Sequence, residues 1–94
     1  MRYIEVEWIH GNSDYPVRLI SEINDDRYEV RKIEIYLSGK IGFATAQIEQ
    51  GNTRLGTAPI PSLDSINADK EFIGKEIDRA TFELNWQQIP AHQM

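Results

Sequence analysis

Apolar and polar residues alternate through residues 2–9. Ile4, Val6 and Trp8 fall on one side, and Tyr3, Glu5, Glu7 and Ile9 on the other. A period of two marks a strand with one buried face, and it turns Glu5 and Glu7 outward together. His10-Gly11-Asn12-Ser13-Asp14 interrupts the pattern with turn chemistry. Pro16 lacks a backbone donor and belongs at the start of the next strand or on an edge. Alternation returns over 17–23, with Val17, Leu19 and Ile23 opposed to Arg18, Ile20 and Glu22.

Residues 20–44 read as three strands joined by two tight turns, Asn24-Asp25-Asp26 and Leu37-Ser38-Gly39-Lys40. The middle strand, 28–36, is flanked on both sides and so lies inside a sheet. It breaks its own period: Tyr28 and Val30 oppose Ile33 and Ile35. A β-bulge near Arg31-Lys32 would bring all four to one side. The alternative is a strand buried on one face early and on the other late. Ile41 and Phe43 continue the sheet, and Gly42 between them admits a close neighbour.

The second half changes character. Residues 47–61 have no clear period and contain Gly51-Asn52-Thr53-Arg54-Leu55-Gly56, then the stiff Pro59-Ile60-Pro61. Ser62 is placed to cap a short helix carrying Leu63 and Ile66, with Asp64 in its first turn and Asn67 as its stop. Residues 69–73 are ambiguous between a helical turn and a loop, Gly74 interrupts, and 75–77 read as extended. Asp78 caps a last helix, with Ile77 and Phe82 at the positions of a hydrophobic staple. Phe82, Trp86 and Ile89 form one apolar stripe, and Pro90 ends it. Strands first and helices later predict an α+β fold. The expectation is one antiparallel sheet of four to five strands in meander order, with the short helix and the C-terminal helix packed on one face.

Length and composition add bounds. The 94 residues suit a single domain over 1–94, and 40% hydrophobic with 27% charged residues is the balance of a folded chain. A net charge of -5 disfavours direct contact with nucleic acid and suits a basic partner. The lack of cysteine removes disulfides and thiolate-ligated metals, and fits a reducing cytoplasm. The charged, alternating start is not a secretory signal, and no stretch has membrane-spanning length.

Candidate chemistry is sparse. His10, with Asp14 close in sequence, is the first candidate for a base, but no serine, second histidine or acid recurs at a triad's spacing. No catalytic residue is assigned. Asp14, Glu22, Asp25 and Asp26 lack the spacing of a calcium loop, and the glycines form no phosphate cradle, so neither a metal nor a cofactor is expected. Tyr3, Trp8, Tyr28, Tyr36 and Phe43 could stack RNA bases, an alternative that the acidic balance opposes. The charged run from Arg27 to Glu34 reads either as cross-strand ion pairs with Glu22, Arg18 and Lys40 or as an exposed face that a partner reads.

Trp8-Ile9-His10, Tyr15-Pro16-Val17, Ser21-Glu22-Ile23 and the run from Arg27 to Glu34 resemble a family of small bacterial proteins of uncharacterised function. Thr53-Arg54-Leu55-Gly56, Pro59-Ile60-Pro61-Ser62-Leu63, Ile66-Asn67-Ala68-Asp69 and the Phe82–Trp86 helix carry the same likeness. Small acidic proteins of this kind look like immunity proteins of contact-dependent-inhibition and other polymorphic toxin systems. The resemblance implies a cytoplasmic, non-enzymatic protein that occludes the active site of a cognate basic toxin domain, a nuclease. The contacts expected on this reading are Asp14, Asp25, Asp26, Glu29 and Glu49, with Tyr15 and Arg54 as anchors. The alternatives are an RNA-binding module on the strand aromatics and a small enzyme using His10. The sequence leaves the oligomeric state open.

Overall fold

A computed structural model describes residues 1–90. Among them, the order is β1 (Arg2–Trp8), β2 (Arg18–Ile23), β3 (Glu29–Ile35), β4 (Ile41–Ala44), β5 (Glu49–Gln50), α1 (Leu63–Ala68), β6 (Phe72–Ile77) and α2 (Arg79–Gln87). The strands form one sheet in the order β5-β4-β3-β2-β1-β6, every neighbouring pair antiparallel. This is the α+β meander that the hydrophobic pattern predicts, with β6 returning to the free side of β1.

The sheet has six strands rather than four to five. The additions are the two-residue β5, inside the stretch without period, and a longer β6. Gly74 does not end β6 but sits in its middle, opposite Val6. A Cβ there would meet Leu63 Cδ2 at 3.1 Å and Ile66 Cγ2 at 3.2 Å, so glycine lets α1 lie down on the strand. Gly42 has the same use: a side chain there would collide with Thr53 and the carbonyls of Gln50 and Gly51.

The helices pack on opposite faces, not on one. Tyr3, Ile20, Ile33 and Phe43 form a core with Phe82 and Ile89, which α2 and its end bring over the sheet. Ile4, Val6 and Ile23 form a second core, packed against Leu63 and Ile66 of α1 and against Ile60 and Phe72. Both faces of β1 are therefore covered, which corrects the expectation of one buried face. The reason is visible in Tyr3, which reads as polar in the pattern yet is 6% exposed and rests 5.2 Å from the Phe82 ring.

Both helix starts follow the sequence. Ser62 Oγ accepts from Ser65 N at 3.2 Å, and Asp78 Oδ1 accepts from Thr81 N at 2.8 Å. Ile77 packs into the same core as Phe82, as a staple requires. The Thr81 hydroxyl first, and then the capping N–H, hold the Asp78 carboxyl below its ordinary range.

The bulge lies one step earlier than expected. Glu22 pairs with Arg31 and Ile23 with Glu29, which leaves Val30 as the extra residue. The consequence differs from the expected one. It turns Glu29 and Lys32 to the same face, three residues apart, and leaves Tyr28 41% exposed. Val30 is half-buried and does not join the core that holds Ile33 and Ile35.

Candidate functional site

The bulge buries two ionic networks, one on each face. On the α2 face, Arg31 Nε and Nη2 donate to the two carboxylate oxygens of Glu22 at 2.7 and 3.1 Å, and Nη1 lies 2.9 Å from Glu83 Oε1. The guanidinium carbon stands 4.7 Å from the Phe82 ring centre and 4.9 Å from that of Trp86. The Arg31 bonds hold the Glu22 carboxyl below its ordinary range, and the two carboxylates hold Arg31 firmly protonated. Burial, then the neighbouring Glu22, push the Tyr3 phenol up. This network fastens α2 to the sheet.

On the other face, Glu29 accepts from Ser21 Oγ at 3.0 Å and from Gly56 N at 2.6 Å, with Lys32 Nζ at 3.4 Å. Lys32 also donates to the Arg54 carbonyl at 3.3 Å and lies 3.8 Å from Glu34. Glu34 accepts from the fully buried Thr53 at 2.8 Å. Together these bonds strap residues 53–56 across the sheet. At the far end of the strap, Arg27 donates to the carbonyls of Ile60 and Pro61, both at 2.7 Å, while its own carbonyl accepts from Ile60 N. Arg27 holds a left-handed backbone, φ 68°, to do so.

Between the strap and α1 the face stays open. A groove of about 370 Å³ runs over Ile4, Val6 and Leu19, walled by Ile66, Phe72 and Ile60. Ser21, Glu29 and Lys32 form its polar end, and Ser65 and Asp69 stand on the α1 side. Its size and mostly apolar lining with a few convergent polar groups are those of a binding cleft.

The structure does not gather the sequence-predicted contacts into one patch. Asp14 and Tyr15 lie in the β1–β2 loop, Asp25 and Asp26 in the β2–β3 turn at the opposite end of the strands, and Glu49 and Arg54 at the β5 edge. Glu49 and Arg54 pair with each other at 3.8 Å. Glu29 is a correction: its side chain is 2% exposed and is committed to the strap, so it cannot be a surface charge. Tyr15 is half-exposed and packs on Trp8, whose ring also meets His10 and Phe72. His10 is occupied on both nitrogens: Nδ1 accepts from Asn12 N at 3.0 Å, which leaves Nε2 to donate to the Pro16 carbonyl at 2.8 Å. That bonding organises the loop.

The aromatic platform is not assembled. Tyr3 and Phe43 are buried under α2, whereas Trp8 belongs to the opposite side of β1. The charged run does form ion pairs, but Arg18 meets Glu5 at 3.2 Å and Lys40 lies over Tyr36 instead of joining it. Among the described residues, no group of three or more His, Cys, Asp or Glu is placed to hold a metal ion, and no helix is long and apolar enough to cross a membrane.

Sequence reasoning missed the groove itself: Ser21, Lys32, Ile60, Ile66 and Phe72. The signal available was the broken alternation in β3. Residues 29 and 32 share a face only if one residue is looped out between them.

The chain matches the model of a domain of unknown function, DUF6881, over residues 2–91, and it belongs to that family. No curated protein and no solved structure matches it.

Proposed function

We propose that this member of the family is a binding protein whose partner is a basic protein, and that it works as an immunity protein by covering the active site of a cognate toxin domain in the cytoplasm. The observation that carries the reading is the contrast in how its groups are used. The side chains with catalytic potential, His10, Glu22, Arg31 and Glu29, are held in internal bonds, while an open groove is left between α1 and the strap. A chain of net charge -5 would draw a basic partner toward that groove at a rate that falls as salt rises.

The test is co-expression with the product of the gene adjacent to its own, scored as survival, together with binding of the two purified proteins. Protection with a tight, salt-sensitive complex supports the reading. A neighbouring product that is harmless, or that the chain neither binds nor neutralises, overturns it. A folded His10→Ala variant should protect as well as wild type. Loss of protection there would make the enzymatic alternative the better one.

A further inference from the structure

A partner can meet a sheet protein along a strand edge or in a groove. The β6 edge is closed from within. Asn67, on α1, donates to the Gly74 carbonyl at 3.0 Å and accepts from Gly74 N at 2.6 Å. Its amide thus takes both hydrogen bonds that a pairing strand would offer at mid-strand. Phe72 N is likewise satisfied, by the Asp69 carbonyl at 3.1 Å. At the opposite edge, β5 is two residues long. Such edges resist strand addition. The groove is the concave surface that remains beside them.

We infer that the groove receives a lysine or arginine side chain of the partner, presented beside an apolar residue. The inference rests on the reading of a basic protein partner and adds where and how it docks. The lining and such a side chain are complementary. The stem of a basic side chain suits walls made of Ile4, Leu19, Ile66 and Phe72, since such stems lie along apolar surface while the head seeks charge or water. Two carboxylates, Glu29 and Asp69, line the groove against one ammonium, Lys32. Lys32 is already matched by Glu29 at 3.4 Å and Glu34 at 3.8 Å, which leaves Asp69, on the α1 side, as the groove-lining charge that has no ion pair among the described residues. An anionic head would be repelled there. A cationic head would meet Asp69, which is exposed and has only one oxygen engaged, by Glu71 N at 2.9 Å.

The test uses the full chain, isotope-labelled for NMR, and three capped tripeptides, Leu-Arg-Leu, Leu-norleucine-Leu and Leu-Glu-Leu. The arginine peptide should shift the amides of Ser21, Ile66 and Phe72 and bind up to about fivefold tighter than the norleucine peptide, the most that one exposed charge contact supplies. The glutamate peptide should bind weakest. Asp69→Asn keeps the bond to Glu71 N and should erase the arginine advantage. Ser65→Trp, at an exposed helix position, should fill the groove and stop all binding. Equal binding of arginine and norleucine, an advantage that survives Asp69→Asn, or shifts away from the groove would each overturn the inference. The two readings fail separately. Protection by wild type with no groove shifts sinks this inference alone. Groove shifts without protection sink the immunity reading and leave the basic-side-chain site standing.

Discussion

The two faces of the sheet are built with similar parts and finished differently. Each buries carboxylates against one cation. Under α2, Arg31 is clamped between Glu22 and Glu83 and stacked on two aromatic rings, and the nine-residue helix seals the core with Phe82, helped by Ile89 just past its end. Under α1, the cation Lys32 is held by longer contacts, the six-residue helix has no buried residue, and a groove stays open beside it. One face is clamped and the other keeps an open surface. A guanidinium with a bidentate partner fixes a helix in one place, while a lysine with several distant partners ties down a loop and leaves neighbouring surface uncommitted.

The largest break in this contrast should come from Phe82→Ala. Phe82 is fully buried, so its loss should cost about 3–5 kcal/mol in chemical denaturation. Trp86→Ala should cost less, because Trp86 is only partly buried and Phe82 fills the centre of the stripe. Ser65→Trp on the α1 face should leave the unfolding midpoint nearly unchanged. If Phe82→Ala and Ser65→Trp destabilised equally, the division of labour would be wrong.

Acid should weaken the clamp under α2. Glu22 has a carboxyl held below its ordinary 4.5 by Arg31, so the unfolded chain takes up that proton before the folded one. The stability it contributes is complete above that value and is lost as pH falls through the folded pKa. Glu22→Gln should therefore be less stable at pH 7 and show a flatter decline between pH 5 and pH 3, followed by circular dichroism in urea. An unchanged slope would mean that the Arg31 pairing contributes nothing to acid stability.

The smallest expected effect separates the strap from the groove. Arg27→Gly removes the guanidinium bonds to Ile60 and Pro61 but accepts the left-handed backbone freely, whereas Arg27→Ala loses the bonds and keeps the strain. Alanine should thus be worse than glycine by about 1 kcal/mol. In both, the amides of residues 56–60 should exchange faster with solvent. Equal stability of the two variants would show that φ at this position relaxes once the side chain is gone.

Much of this architecture was legible in the chain. The period-two runs, the caps Ser62 and Asp78 and the staple of Ile77 with Phe82 act within a few residues, so their geometry follows from local rules. The separation of the helices onto two faces was not legible, because it depends on Tyr3 counting as core and on Gly74 yielding space to α1. The groove was hidden for a related reason. Its polar end exists because Val30 is looped out of register, and its wall comes from Ile60 and Phe72, far apart in sequence. Exposed acids such as Asp25 and Asp26 were easy to name as contacts, yet the strand expected over 17–23 already sets them and Asp14 at its opposite ends.

On the proposed reading the partner docks on the α1 face. This is tested most directly by one tryptophan placed on each face, at exposed helix positions: Ser65→Trp beside the groove and Leu84→Trp on α2. Both variants are purified, shown to melt like wild type, and titrated against the partner that the co-expression test identifies. Leu84→Trp should bind as wild type does, while Ser65→Trp should lose at least about tenfold in affinity, or 1.4 kcal/mol. Wild-type affinity for Ser65→Trp together with a loss for Leu84→Trp would contradict it and assign the interface to the opposite side of the sheet.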